Sequence, residues 1–203
     1  MSTAWPAESP GPSQPWGDLE HLSVQRDPGD VTGVVLVTLD LPERRNSMSE
    51  EMTRSWGEVM RALATDRSVR AVVVTGRGRA FCAGGDFSWL AGTPDAGVPE
   101  LRERMLAFYR TWLSVHDLRV PTVAAINGAA FGGGCELALS CDLRLMDESA
   151  SIGLTETSLA IIPGAGGCVR LPRLVGAARA KEMILTARRL SASEARDVGL
   201  VHR

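Results

Sequence analysis

Residues 121–142 read PTVAAINGAAFGGGCELALSCD. Pro121 opens a short β-branched and alanine run, Thr122 to Ile126, that reads as a buried strand. The glycine run Gly132-Gly133-Gly134 then starts a helix that carries Glu136. Glycines at a helix start leave backbone N–H groups unpaired at the positive end of the helix dipole. Such a place can hold charge that develops on an oxygen. It can also cradle phosphate or simply allow close helix packing. Neither G-x-x-x-x-G-K-[ST] nor G-x-G-x-x-G is present, so the nucleotide motifs fail. Glu136 sits in the first turn, where a glutamate often only complements the dipole. Its flanks, Cys135 and Leu137-Ala138-Leu139, are apolar, which predicts burial and a raised pKa.

Outward from this stretch, strands and helices alternate. Val31 to Leu39 and Ala71 to Thr75 are continuous apolar runs, predicting strands in a sheet covered on both faces. The helix-starting pattern Ser47-Met48-Ser49-Glu50 leads into a helix to about Ala64, with Met52, Trp56, Val59, Met60 and Leu63 on one face. Ala80 to Asp86 (AFCAGGD) reads as a loop, Gly92 to Pro99 as a flexible loop, and Glu100 to His116 as a long helix. Leu143 to Met146 and Ser151 to Gly153 read as short strands. Gly166 to Leu174, Ala177 to Thr186 and Ala192 to Val198 read as helices. Ser191 and Glu194 form a capping box, and Gly199 stops the last helix. No sequence repeat stands out. The alternation predicts an α/β fold.

Composition narrows the function. The chain has 203 residues, 44% hydrophobic and 23% charged, with net charge −2. Its pI of about 6.0 makes no broad electrostatic case for nucleic acid or an anionic membrane. Cys82, Cys135, Cys141 and Cys168 form no C-x-x-C pair, and His21, His116 and His202 are scattered, so no metal site is expected. The cysteines read as reduced, packed side chains in a cytoplasmic protein. Residues 1–17, with Pro6, Pro10, Pro12 and Pro15, read as a disordered leader ahead of a core domain at 18–203. No apolar run is long enough to span a bilayer.

A second glutamate, Glu156, lies among Leu154, Leu159, Ile161 and Ile162, just before Pro163-Gly164-Ala165-Gly166-Gly167. Alone, each glutamate fits an ordinary ion pair, and Ala83-Gly84-Gly85-Asp86 fits an ordinary tight turn. Together, two carboxylates and two glycine loops suggest a site that polarises a carbonyl and moves protons beside it.

Three motifs in this order carry a resemblance: AFCAGGD, then PTVAAINGAAFGGGCELALSCD, then GLTET followed by LAIIPGAGG. They resemble the enoyl-CoA hydratase/isomerase (crotonase) superfamily from about Val31 to the last residue. The resemblance implies a crotonase-like ββα superhelix. It implies that the N–H groups of Gly85 and Gly133 form an oxyanion hole for a thioester carbonyl. Glu136 and Glu156 match the two acid/base positions, Glu136 as base on water and Glu156 as proton donor to C2. Ala83, Gly84, Asp86 and Gly132 would contact substrate.

Phe87, Trp89 and Leu90 would line the acyl pocket, or else pack in the core. Arg44 and Arg45 could meet the nucleotide end of coenzyme A, or else form a solvated pair. Coenzyme A is part of the substrate, so no separate cofactor is implied. Retention of both glutamates favours a hydratase. An isomerase, a hydrolase or a non-catalytic acyl-CoA binder are the alternatives.

Gly153 to Arg173 is also similar to methylglutaconyl-CoA hydratases, some of which bind AU-rich RNA through a lysine-rich helix. Ser49 to Asp66 contains no lysine, so no nucleic-acid partner is expected. Relative to the family, the chain ends at Arg203 before the usual C-terminal helices. Those helices help to build a homotrimer or a dimer of trimers.

Overall fold

The computed structural model describes residues 16–86 and 97–203. Two sheets run through the fold. The larger has the order β1 (Leu22–Arg26), β2 (Val34–Leu39), β3 (Ala71–Gly76), β5 (Thr122–Ile126), β7 (Leu143–Met146). The smaller has the order β4 (Ala80–Cys82), β6 (Ala129–Phe131), β8 (Ser151–Gly153), β9 (Leu190–Ser191). Pairings are parallel except β1 with β2 and β8 with β9.

The chain visits the sheets in turn. β3 then β4, β5 then β6, and β7 then β8 each place one strand in the large sheet and the next in the small one. Helices follow: α2 (Val98–Leu113) after the first pair, α3 (Gly133–Ser140) after the second, and α4 (Gly167–Val175) with α5 (Ala177–Leu185) after the third. This winding of strand–strand–helix units is the crotonase-like superhelix. The repeat is structural, in a chain where no sequence repeat stands out.

Local chemistry explains most boundaries. α1 (Glu50–Thr65) starts at Ser49, not Ser47: the Ser49 hydroxyl accepts from Met52 N–H at 3.1 Å. β2 begins at Val34 because Gly33, at φ +84°, turns the chain ahead of it. β2 and β3 alternate buried and partly exposed residues, so the core lies on one face rather than equally on both. β4, within a segment read as a loop, and β6, in a stretch given no element from sequence, are strands of three residues held by parallel partners. Val98 and Pro99, assigned to a loop from sequence, begin α2, where proline has no intrahelical N–H bond to lose. Ser191 and Glu194 do form the capping box of α6 (Ala192–Asp197).

Trp56 of α1 stacks on Trp112 of α2, with ring centroids 4.9 Å apart. The Trp112 indole donates to Thr53 Oγ1 at 2.9 Å. This pair fixes α2 over the core and so sets one wall of the cavity described below. Trp16 is buried and lies under the Arg26 guanidinium, so this part of the expected leader packs on the body. The rest of that leader lies outside the described residues.

Cys82, Cys135 and Cys141 are buried, whereas Cys168 is exposed, unlike the packed thiol expected. Among the described residues no cluster of His, Cys, Asp or Glu is arranged to hold a metal ion. No described helix is long and apolar enough to cross a membrane.

Candidate active site

The helix that carries Glu136 is buried from Gly134 to Ser140. It starts where β4 crosses it. A Cβ on Gly134 would stand 2.1 Å from the Cys82 carbonyl oxygen, so only glycine permits this approach. The crossing brings the loop after β4 against the loop after β6. Gly84, at φ +98°, turns so that its Cα hydrogen faces the second loop; a Cβ there would lie 3.1 Å from Gly133 N. The point where a side chain on Gly133 would begin is 3.5 Å from Gly85 N.

Gly85 is bridged in parallel to Met48. Met48 N–H donates to the Gly84 carbonyl at 2.8 Å, and Asp86 N–H donates to the Met48 carbonyl at 3.4 Å. In such a bridge the residue between the two bonds turns its own N–H to the opposite side. The Gly85 N–H therefore points away from Met48. Gly133, the first residue of α3, offers the other N–H. Both glycines line one cavity.

Both glutamates line it too. Glu136 Oε1 accepts from Gly167 N–H at 2.8 Å. Burial first, and the charge of Glu156 after it, push the Glu136 carboxyl up to about 7, against the opposing pull of that N–H. Glu156 opens a short 3-10 turn, Glu156–Leu159, and its side chain reaches toward Gly132. Both its carboxyl oxygens are buried without a partner from any other described residue. Burial raises this carboxyl as well, offset only in part by its own backbone N–H.

Other expected site residues divide. Ala83, Gly84, Asp86 and Gly132 line the cavity. Asp86 is paired with Arg44 at 2.8 Å. Arg45 does not line it; its carbonyl accepts from Ala83 N–H at 3.0 Å, so its backbone rather than its side chain supports the loop. Phe87, Trp89 and Leu90 lie outside the described residues.

Several contributors carry no sequence signal as site residues. Tyr109 of α2 reaches the cavity, its hydroxyl 2.3 Å from where a Cβ on Gly164 would be. Burial, then the charges of Glu136 and Glu156, raise its phenol. Asn46, fully buried, accepts from Leu41 N–H at 2.9 Å and donates to the carbonyls of Arg77 and Ala80 at 3.0 and 2.8 Å. It ties the loop before α1 to the turn that leads into β4.

The chain resembles known proteins over most of its length. Residues 30–203 match the family model described as enoyl-CoA hydratase/isomerase. The chain is 45% identical over 169 residues to a Bacillus subtilis protein named as an enoyl-CoA hydratase/isomerase, covering 83% of this chain and 64% of the relative. It is 38% identical over 197 residues to human mitochondrial methylglutaconyl-CoA hydratase, covering 97% of this chain and 57% of that protein. The chain thus spans about three fifths of the length of such relatives. The crystal structure of an enoyl-CoA hydratase from Bacillus anthracis superposes with a TM-score of 0.81 at 43% identity, covering 90% of this chain and 69% of that one. The chain belongs to the enoyl-CoA hydratase/isomerase family.

Proposed function

We propose that this chain hydrates a trans-2-enoyl-CoA to a 3-hydroxyacyl-CoA. The observation that carries the reading is the unequal pair of buried carboxyls beside two converging glycine loops. Glu136 accepts from the N–H of Gly167, whereas Glu156 has no donor from any other described residue. Two close, buried carboxyls share protons, and the one with a donor keeps its negative charge more easily. Burial raises both carboxyls, so the pair holds a proton near neutral pH; when that proton rests on Glu156, Glu136 serves as the base on water and Glu156 as the donor to C2.

The reaction follows. The thioester oxygen sits between the N–H groups of Gly85 and Gly133, and electron density drawn toward it makes C3 electrophilic. Glu136 takes a proton from water as the water oxygen bonds to C3. The C2–C3 π electrons move toward the thioester, giving an enolate whose charge the two N–H groups stabilise. Loss of one such donor typically costs about a hundredfold to a thousandfold in rate. Glu156 then delivers its proton to C2. A proton passes from Glu136 back to Glu156, through solvent or directly, and the pair is reset. Coenzyme A enters and leaves with the acyl group, and no separate cofactor takes part.

Two carboxyls in one cavity favour hydration over double-bond isomerisation, which needs no water activated at C3. Crotonyl-CoA tests the reading through loss of the conjugated thioester absorbance. Glu136→Gln and Glu156→Gln should each slow it by about a hundredfold or more. Full activity in both variants sinks the proposal.

A further inference from the structure

Among the described residues, the charged ones that line the catalytic cavity are Asp86, Glu136 and Glu156, all acids. Among the described residues no lysine, arginine or histidine lines it, and residues 87–96 contain none in their sequence. Arg44 and Arg170 come near. Arg44 is already engaged by Asp86 at 2.8 Å. Arg170 donates to the Ala165 carbonyl at 3.3 Å and lines a different hollow with Arg144 and Arg173. The remaining wall includes Phe108, Leu159, Ile161 and Ile162, and its uncharged polar side chains include the Tyr109 phenol.

We propose that this pocket takes an acyl chain without charge and rejects one whose far end carries a carboxylate. The proposal rests on the acyl-CoA reading above and adds the substrate class to it. A second carboxylate would enter a chamber that already holds a shared negative charge, and it would lose water without meeting a counter-charge. That penalty exceeds what a few methylenes of apolar contact return. The Tyr109 hydroxyl is a single donor that stands beside both glutamates, so it does not supply the missing cation.

Calorimetric binding of two saturated thioesters tests this without turnover. Hexanoyl-CoA and glutaryl-CoA have acyl chains of similar length and differ in terminal charge. Hexanoyl-CoA should bind more tightly by at least about tenfold. Equal binding, or tighter binding of glutaryl-CoA, overturns the proposal. Ile162→Arg places a cation on the cavity wall at a residue that is 72% exposed, where folding tolerates it. It should shift the affinity ratio toward glutaryl-CoA by about fivefold or more; an unchanged ratio counts against the proposal. Crotonyl-CoA turnover is followed on the same samples. Selective binding with no turnover contradicts the hydratase reading and leaves the charge selection standing. Turnover with no selectivity does the reverse. No binding of either thioester overturns both.

Discussion

Gly167 donates its backbone N–H to Glu136 Oε1 at 2.8 Å, and a Cβ at Gly167 would stand 3.0 Å from that same oxygen. It would also come within 2.9 Å of Leu154 Cδ1. The glycine is thus donor and spacer for one carboxylate. Gly167→Ala should displace Glu136 and lower kcat by about tenfold to a hundredfold. KM should change little, because the thioester contacts are elsewhere. Steady-state kinetics beside a thermal melt separates this from simple unfolding.

Glu136 also makes stability depend on pH. Its carboxyl lies at about 7 in the folded chain against an ordinary 4.5. Between these values the folded state keeps a proton that the unfolded chain has released. The stabilisation is fully present below about pH 4.5 and is lost as pH rises through about 7. Its size is at most about 3 kcal/mol. Urea midpoints for wild type and Glu136→Gln, compared at about pH 4 and about pH 8, should diverge in favour of the variant at the higher pH. A constant difference across that range contradicts the assignment.

Gly84 keeps the two N–H loops in register. A Cβ there would press on the Phe131 carbonyl oxygen at 3.0 Å and on Gly133 N at 3.1 Å, at a φ of +98° that alanine rarely adopts. Gly84→Ala should cost about 1–3 kcal/mol of stability. It should lower kcat/KM by about a hundredfold as the donors separate. Kinetics at a temperature well below the melt reads the second effect directly.

Asn46 is a structural counterpart outside the chemistry. Its side chain bonds to Leu41 N–H and to the carbonyls of Arg77 and Ala80 in a fully buried setting. Asn46→Ala removes these bonds and leaves the Leu41 N–H without its acceptor, while the Ala80 carbonyl keeps only a longer contact with Asn127 Nδ2 at 3.5 Å. The expected loss is about 2–4 kcal/mol, seen as a lower urea midpoint at unchanged pH dependence.

Much of the fold is readable in the sequence where a signal is local. The apolar runs of β2, β3 and β5, and the glycine run that starts α3, follow from residue type alone. β4 and β6 do not, because strands of three residues owe their existence to partners distant in the chain. The choice of Ser49 over Ser47 as helix cap is likewise tertiary, since both offer a hydroxyl and Met48 between them is drawn to the Gly84–Asp86 loop. Glu136 and Glu156 are conspicuous singly, as carboxyls in apolar surroundings. That they share one cavity follows from β6 pairing with β8, which no local pattern contains. Tyr109 is hidden in the opposite way. It lies in a helix to which the sequence assigns no functional face, and the Trp56–Trp112 stack sets which face meets the cavity.

Hydration in isotopic water tests the glutamate pair most directly. Crotonyl-CoA is incubated in water labelled with oxygen-18 and deuterium, and the product is read by mass spectrometry and proton NMR. The account predicts 3-hydroxybutanoyl-CoA with one labelled oxygen at C3 and one deuteron at C2, formed slowly or not at all by Glu136→Gln and Glu156→Gln. Deuterium uptake without oxygen at C3, or labelled product formed at the wild-type rate by both variants, would contradict it.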